Sequence, residues 1–375
     1  MKRRAVLSAI AAAVGVAGLS TLYFMLSSPR RDVATVGQSA GYTVEVVHDG
    51  LTIPWEICFI SGEEALVTER PGQLRLLNIS SRRSTVVGEI EVAHVGEGGL
   101  LGLAYLEESS KIITYYTYRS GSKLFNRVHM WDSLEVKDGE VLLDEIPGAS
   151  IHDGGRVKIG PDGKLYVTTG DASIPPLSQD LNSLAGKILR VNTDGTIPHD
   201  NPFPSSPIYS YGHRNPQGIC WRSDGSTYAT EHGPSGEGGL VANDELNRIV
   251  AGGNYGWPLV VGKRGMSGMI DPVYHSGSET WAPSGCTFYY GEDFPDWDGS
   301  LFFGALRGEH LHRVALSRDG SNVESAEKLF VGTFGRLRNV VQGPDGLLYL
   351  LTSNRDGRGS VRPGDDKVLR ITPRK

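Results

Sequence analysis

The chain has 375 residues, with 49 Gly, 20 Pro and 39 % hydrophobic residues, enough for a globular core and too apolar for a disordered chain. Its 37 Lys and Arg against 43 Asp and Glu give a net charge of −6, which argues against a nucleic-acid binder.

The first element is residues 1–30, where Lys2, Arg3, Arg4 and Arg30 stand without any acidic residue. A basic start followed by an almost wholly apolar run, Ala5 to Met25, reads as a signal peptide or an N-terminal membrane anchor. No small-x-small cleavage site decides between the two, and Arg3-Arg4 is a weak twin-arginine signature. The expectation is an exported protein of the cell envelope or the medium, cleaved or attached to the membrane through residues 5–27.

Beyond Arg31 no helical period is sustained. Instead one unit recurs: a Gly- or Asp-rich turn, a short apolar strand, then polar residues. It reads SGEEALVTER (61–70), LEESSKIITYYTY (106–118), GPDGKLYVTTGD (160–171), RSDGSTYATEHG (222–233), FPDWDGSLFFGALR (294–307) and GPDGLLYLLTSN (343–354). Six blade-sized units predict an all-β fold, a six-bladed β-propeller of four-stranded antiparallel blades over residues 40–375; a pair of β-sandwiches is the alternative. The units end on polar groups: Glu69-Arg70, Gly170-Asp171, Glu231-His232, Arg307 and Asn354. In a propeller such equivalent ends gather at one mouth of the channel. YTVEVV (42–47) and VLRITP (368–373) are placed to close the ring.

The three cysteines, Cys58, Cys220 and Cys286, are too few and too scattered for a disulfide framework or a thiolate zinc site. The glycines of GEGGLLG (96–102) lack dinucleotide-loop spacing, and no GxSxG, HExxH or Walker loop is present.

Four segments carry candidate chemistry. His152-Asp153-Gly154-Gly155 precedes the third unit and Asp171 ends it, so a histidine could face an orienting carboxylate as a general base. GHRNPQG (212–218) sets Arg214 beside Asn215, a pairing able to bind an oxyanion. TEHGP (230–234), DELN (244–247) and GGNYGWP (252–258) offer carbonyls, carboxylates and rigid turns, the oxygen donors that calcium uses. Arg307, Arg336 and Arg338 lie near the ends of the last two units; Arg336 and Arg338, two residues apart, share a strand face and suit an anionic ligand.

Taken in order, IPWEICF (53–59), GEGGLLGLAY (96–105), HDGGRVKIGPDGKLYVTTGD (152–171), GKILRVNTDGTIPHDNPF (186–203), GHRNPQG, TEHGP, DELN, NYGWP and WAPSG (281–285) resemble the soluble PQQ-dependent glucose/aldose sugar dehydrogenase family over residues 42–373. The resemblance implies oxidation of aldose sugars at the anomeric carbon to aldonolactones, with pyrroloquinoline quinone (PQQ) and calcium as cofactors. Electrons would leave to an external acceptor, a quinone, a redox protein or a dye. Carried over by motif, His152 is the base, Asp171 its orienting partner and Glu97 a substrate contact. Arg214 and Asn215 contact the quinone; Thr280, Arg307, Arg336 and Arg338 anchor its polar groups. Gly233 and Pro234 give carbonyls to the calcium beside PQQ, and Glu245 with the Tyr255 carbonyl binds a second, structural calcium. Two positions depart from the pattern: Glu97 stands where glucose-oxidising relatives can have Gln, and Arg307 where relatives often place Lys. Two other readings share the fold, a calcium-dependent propeller lactonase and a non-enzymatic binding propeller. The lactonase reading needs no arginine cluster, and the binding reading predicts no effect of a cofactor on stability or activity.

Overall fold

The computed structural model describes residues 35–38 and 41–374, apart from 235–238 and 240. The segment 1–30, expected to be a signal or an anchor, lies outside the described residues.

Six antiparallel sheets follow one another along the chain. The first blade runs Pro54–Phe59, Glu64–Glu69, Gln73–Asn78, Arg83–Glu89, and the second Leu100–Leu106, Lys111–Ser120, Lys123–Trp131, Gly139–Gly148. The third is Val157–Ile159, Leu165–Thr169, Lys187–Val191, Ile208–Tyr211, and the fourth Pro216–Trp221, Thr227–Glu231, Glu245–Ile249, Tyr274–His275. The fifth is Pro283–Phe288, Leu301–Ala305, His310–Leu316, Val323–Leu329. The sixth takes three strands from the C-terminus, Leu337–Gln342, Leu348–Thr352 and Val368–Pro373, and its fourth from the N-terminal side, Tyr42–His48. Val44 pairs with Ile371 and Val46 with Leu369, so this strand exchange closes the ring where expected. Thr35–Gln38 adds a fifth strand outside Tyr42–His48, so the closing blade is one strand wider than the four-stranded pattern.

The second strand of each blade is packed on both faces, so it reads as an apolar run rather than an alternation. Leu165–Thr169, Leu301–Ala305 and Leu348–Thr352 are buried throughout, whereas the outer strand Val323–Leu329 is mostly exposed. The apolar clusters lie between blades: Ile113, Tyr115 and Val128 of the second pack on Val157, Leu165 and Val167 of the third. Full burial of such side chains stabilises the ring by about 1.5–3 kcal/mol each. Threonines near the ends of these strands tie neighbouring blades: Thr68 Oγ1 donates to Leu101 O at 2.7 Å and Thr230 Oγ1 to Ser284 O at 2.6 Å. The repeated GPDG turn appears in the third and sixth blades with Gly163 at φ 72° and Gly346 at φ 80°, a left-handed conformation that a side chain would strain.

The inner strands face the channel, and its interior is filled by polar groups. Glu56, wholly buried, accepts hydrogen bonds from Arg156 of the third blade and Asn339 of the sixth. Burial works to raise its pKa, but Arg156 and Lys158 hold it below the usual carboxylate range. Arg156 Nε reaches Gln217 O of the fourth blade at 2.9 Å, so one ionic knot joins four blades. The channel is thereby plugged, and open space remains at its mouth.

Candidate active site

That space is a cavity of about 620 Å³, within the range of small-molecule sites. Its walls come from several blades, and Arg70, Arg214, Arg307, Arg336, Arg338 and Arg358 line it against four acids, Glu97, Asp244, Glu309 and Asp356. The expected gathering of strand ends is realised for Arg70, His232 and Arg307.

His152 lines this cavity, 7 % exposed, with its Nδ1 2.8 Å from Asp171 Oδ1. The two residues, 19 apart in sequence, come together because the turn 152–155 folds back on the end of Leu165–Thr169. Gly155 N donates to Thr168 O at 2.8 Å, and a Cβ on Gly170 would collide with the His152 carbonyl oxygen. His152 itself adopts φ 66°, a strained conformation for a residue with a side chain. Neighbours hold it there: its N–H donates to Glu97 Oε2 at 3.1 Å, and Gly154 N donates to Asn215 Oδ1 at 3.0 Å.

The arginines divide into braced and open ones. Arg336 Nε donates to Asp356 Oδ2 at 2.8 Å. Burial raises the pKa of Asp356, but Arg336 and Arg338 pull it below its ordinary value. Arg338 Nη1 donates to Gln217 Oε1 at 2.6 Å, while its buried Nε has no hydrogen-bond partner among the described residues. Burial pushes the Arg338 guanidinium down to about 9, with Arg70 and Arg336 adding repulsion, so it is charged at neutral pH and seeks an anion. Arg307 is exposed at the rim and its guanidinium makes no hydrogen bond or ion pair to a described residue. Arg214 is buried, donates from Nη1 to His232 O at 3.2 Å, and lies over the Trp257 ring at 5.4 Å. Thr280 completes the wall near Arg307. Asn215 stands behind the wall, wholly buried, with Nδ2 unpartnered among the described residues.

A second, smaller cavity of about 10 Å³, about one water-sized sphere, adjoins Arg214. Gly233, Pro234, Glu245 and Tyr255 all line it, so residues assigned to two calcium ions from sequence stand around one space. Burial, reinforced by the Glu231 and Asp244 carboxylates, pushes Glu245 up to about 8. A buried carboxylate so burdened suits an oxygen-seeking cation. Among the described residues no group of three or more His, Cys, Asp or Glu side chains is arranged to hold a metal, so a cation there would depend on backbone carbonyls as well.

Several site residues had no role assigned from sequence. Arg70 and His232 were visible only as strand-end polar groups. Asp244 was visible within DELN, yet it is Asp244 that braces the wall, accepting from Gly233 N at 2.8 Å, Trp281 N at 2.6 Å and Ala282 N at 3.0 Å. Asp356 and Arg358 sit in a loop with no motif at all. Cys58, Cys220 and Cys286 are free thiols.

A propeller whose mouth sets an oriented histidine beside an excess of arginine defines an enzyme-like site for an anionic ligand and a second reactant. The chain belongs to the glucose/sorbosone dehydrogenase family, whose sequence pattern it matches over residues 51–362. It is thus an enzyme of the dehydrogenase class. It is 32 % identical to the Escherichia coli aldose sugar dehydrogenase over 89 % of this chain and 94 % of that one. It is 30 % identical to quinoprotein glucose dehydrogenase B of Acinetobacter calcoaceticus, over 88 % and 89 % of the two chains. The PQQ-bound aldose sugar dehydrogenase of Streptomyces coelicolor superposes with a TM-score of 0.79 at 36 % identity, covering 90 % of this chain and all of that one.

Proposed function

We propose that this protein oxidises aldose sugars at the anomeric carbon to aldonolactones, with PQQ and calcium, and passes the electrons to an external acceptor. The observation that carries the reading is the His152–Asp171 pair, 2.8 Å apart, at the wall of an arginine-rich cavity of about 620 Å³. The site fits PQQ: the unpartnered Nε of Arg338 and the open guanidinium of Arg307 are donors suited to its carboxylates.

When bound, PQQ supplies an ortho-quinone able to take up two electrons from the sugar. Arg336, Arg338, Arg307 and Thr280 would hold its polar groups, with Arg214 and Asn215 on the quinone side. The carbonyls of Gly233 and Pro234, with Glu245 and the Tyr255 carbonyl nearby, would hold calcium, which supplies Lewis acidity there. Asp171 accepts a hydrogen bond from the Nδ1–H of His152, which makes Nε2 the basic nitrogen. His152 Nε2 then takes the proton of the anomeric hydroxyl, and Asp171 stabilises the resulting imidazolium. Glu97 contacts the sugar and, through the His152 N–H, steadies the strained base. His232 stays neutral, since burial and then Arg338 and Arg214 push it well below the ordinary histidine range.

The test is dye-linked glucose oxidation by protein lacking residues 1–30, with PQQ and calcium together, each alone, and neither. Turnover that requires both supports the reading. No turnover on a panel of aldoses, with no change in melting temperature on adding PQQ, overturns it. Export through residues 1–30 belongs to the same reading, and fractionation of cells carrying the full chain checks it.

A further inference from the structure

The hydrogen bonding that orients His152 does not end at Asp171. The Asp171 carboxylate is held on both oxygens: Oδ1 takes His152 Nδ1 and Ser173 N, each at 2.8 Å, and Oδ2 takes the indole Nε1 of Trp257 at 2.8 Å. A carboxylate gripped on one oxygen can swivel, whereas one gripped on both presents a fixed acceptor. Trp257 arrives from a different part of the chain, 86 residues away.

The backbone that carries the indole is itself tethered. The Trp257 carbonyl accepts Ser178 Oγ at 2.6 Å and Gln179 Nε2 at 2.7 Å, both from the 3-10 turn Pro175–Gln179. That turn is clamped from beneath by Lys187, wholly buried in the third blade. Its ammonium donates to the carbonyls of Leu177 at 2.8 Å, Ser178 at 3.0 Å and Ala185 at 2.7 Å. A buried ammonium satisfied by carbonyls alone is a costly device, and here its effect is to fix a turn whose outward groups fix Trp257.

We propose that Trp257 is a positioning residue whose indole N–H locks Asp171, and through it the tautomer of His152, with the Lys187-clamped turn locking the indole in place. The inference rests on the reading of His152 as the base.

The experiment compares Trp257→Phe with a protein carrying 3-benzothienylalanine at position 257, which keeps the bicyclic shape and lacks only the ring donor. The second variant guards against loss of fold in the first. Both are expected to lose about 10–100-fold in kcat with glucose, while KM and PQQ affinity stay within about twofold, the pattern of an outer-shell partner. The direct readout is nitrogen NMR of labelled histidines in cofactor-free protein, with the His152 signals identified by their absence in His152→Asn. The wild-type is expected to show one tautomer, protonated at Nδ1, and both variants a mixture. A benzothienylalanine variant with wild-type kcat and one His152 tautomer would overturn the proposal. A loss confined to KM or to PQQ affinity would overturn it too, since Trp257 would then act through Arg214 as part of the wall. Should the wild-type oxidise no aldose, the functional reading falls, and the NMR comparison still decides whether Trp257 sets the tautomer.

Discussion

Two histidines in this propeller are paired with carboxylates at the same distance, and they do different things. His152 Nδ1 lies 2.8 Å from Asp171, and His213 Nδ1 lies 2.8 Å from Glu231. His213 is wholly buried, its Nε2 is bound to Ser210 Oγ at 2.8 Å, and its ring stacks on Tyr255 at 4.6 Å. His152 lines the large cavity instead. A His–carboxylate pair is therefore a means of fixing a ring, and access to a reactant decides whether the ring does chemistry or holds the wall. Glu231 makes the point from the other side, because its second oxygen accepts the backbone N–H of Arg214. The structural pair thus seats an arginine of the site.

The sharpest way to break the comparison is to remove each ring. His152→Ala is expected to lose about 10²–10⁴-fold in kcat, the usual contribution of a general base, with the melting temperature nearly unchanged. His213→Ala takes the imidazole partner from Glu231 Oε2 and from Ser210 Oγ in a buried setting and is expected to cost about 2–4 kcal/mol of stability. Denaturant unfolding and steady-state kinetics on both variants separate the outcomes. A His152→Ala protein with near-normal turnover would end the assignment of the base.

Local pattern alone separates these two pairs poorly, and it was the family resemblance that assigned the base to His152 with Asp171. HDGG and GHRN both place a histidine in a polar loop, and the carboxylate partners lie 19 and 18 residues further on. What the chain did disclose was periodic: the repeated turn-and-strand unit, the GPDG turns and the complementary ends that close the ring. These follow from local turn chemistry and from burial on both blade faces, which leave a trace in each unit. The fifth strand Thr35–Gln38 left none. Asp356 and Arg358 escaped notice for the same reason, since their place at the mouth is set by a loop closing across blades. Trp257 and Lys187 lay inside quoted motifs, but nothing local says that an indole reaches Asp171.

The arginines offer the next test, on the binding side of the site. Arg338 is buried with a spare donor, whereas Arg307 stands in solvent. Arg338→Ala is expected to weaken PQQ binding by about 10–100-fold, the scale of one desolvated charge-assisted hydrogen bond. Arg307→Ala should cost about tenfold or less, because its partner would be screened. Fluorescence titration with PQQ measures both, and equal losses would remove the distinction between braced and open arginines.

Asp153, next to the base, gives a pH signature. Burial, with Glu97 adding repulsion, pushes it up to about 6; Asn126 and Ala149 N hold Oδ1, while Oδ2 is buried without a hydrogen-bond partner among the described residues. The folded protein therefore binds a proton that the unfolded chain releases near pH 4. The stability this provides is complete below that pH and is lost as pH rises through about 6. Asp153→Asn, which mimics the protonated form, is expected to flatten the dependence and to gain up to about 3 kcal/mol at pH 7.5 relative to wild-type. Urea midpoints at pH 4.5 and 7.5 check it, and parallel pH dependences in the two proteins would refute it.

The smallest effect belongs to the rim. Glu97 spans both regimes: Oε2 holds the buried His152 N–H at 3.1 Å, and Oε1 pairs with Arg358 Nη1 at 2.8 Å, whose side chain is 57 % exposed. An exposed pair of this kind is worth about 0–1 kcal/mol, so Arg358→Ala should raise KM for glucose by about fivefold at most and leave kcat alone. Salt supplies an independent arm. At about 0.5 M NaCl the screening length falls to a few ångströms, so wild-type KM should move toward that of the variant while the variant stays flat. A fall in kcat of tenfold or more in Arg358→Ala would mean that the outer ion pair is felt through Glu97 at the strained His152 backbone. Rim and base would then be one unit, and the line drawn here between accessible and braced groups would have to move outward to include Arg358.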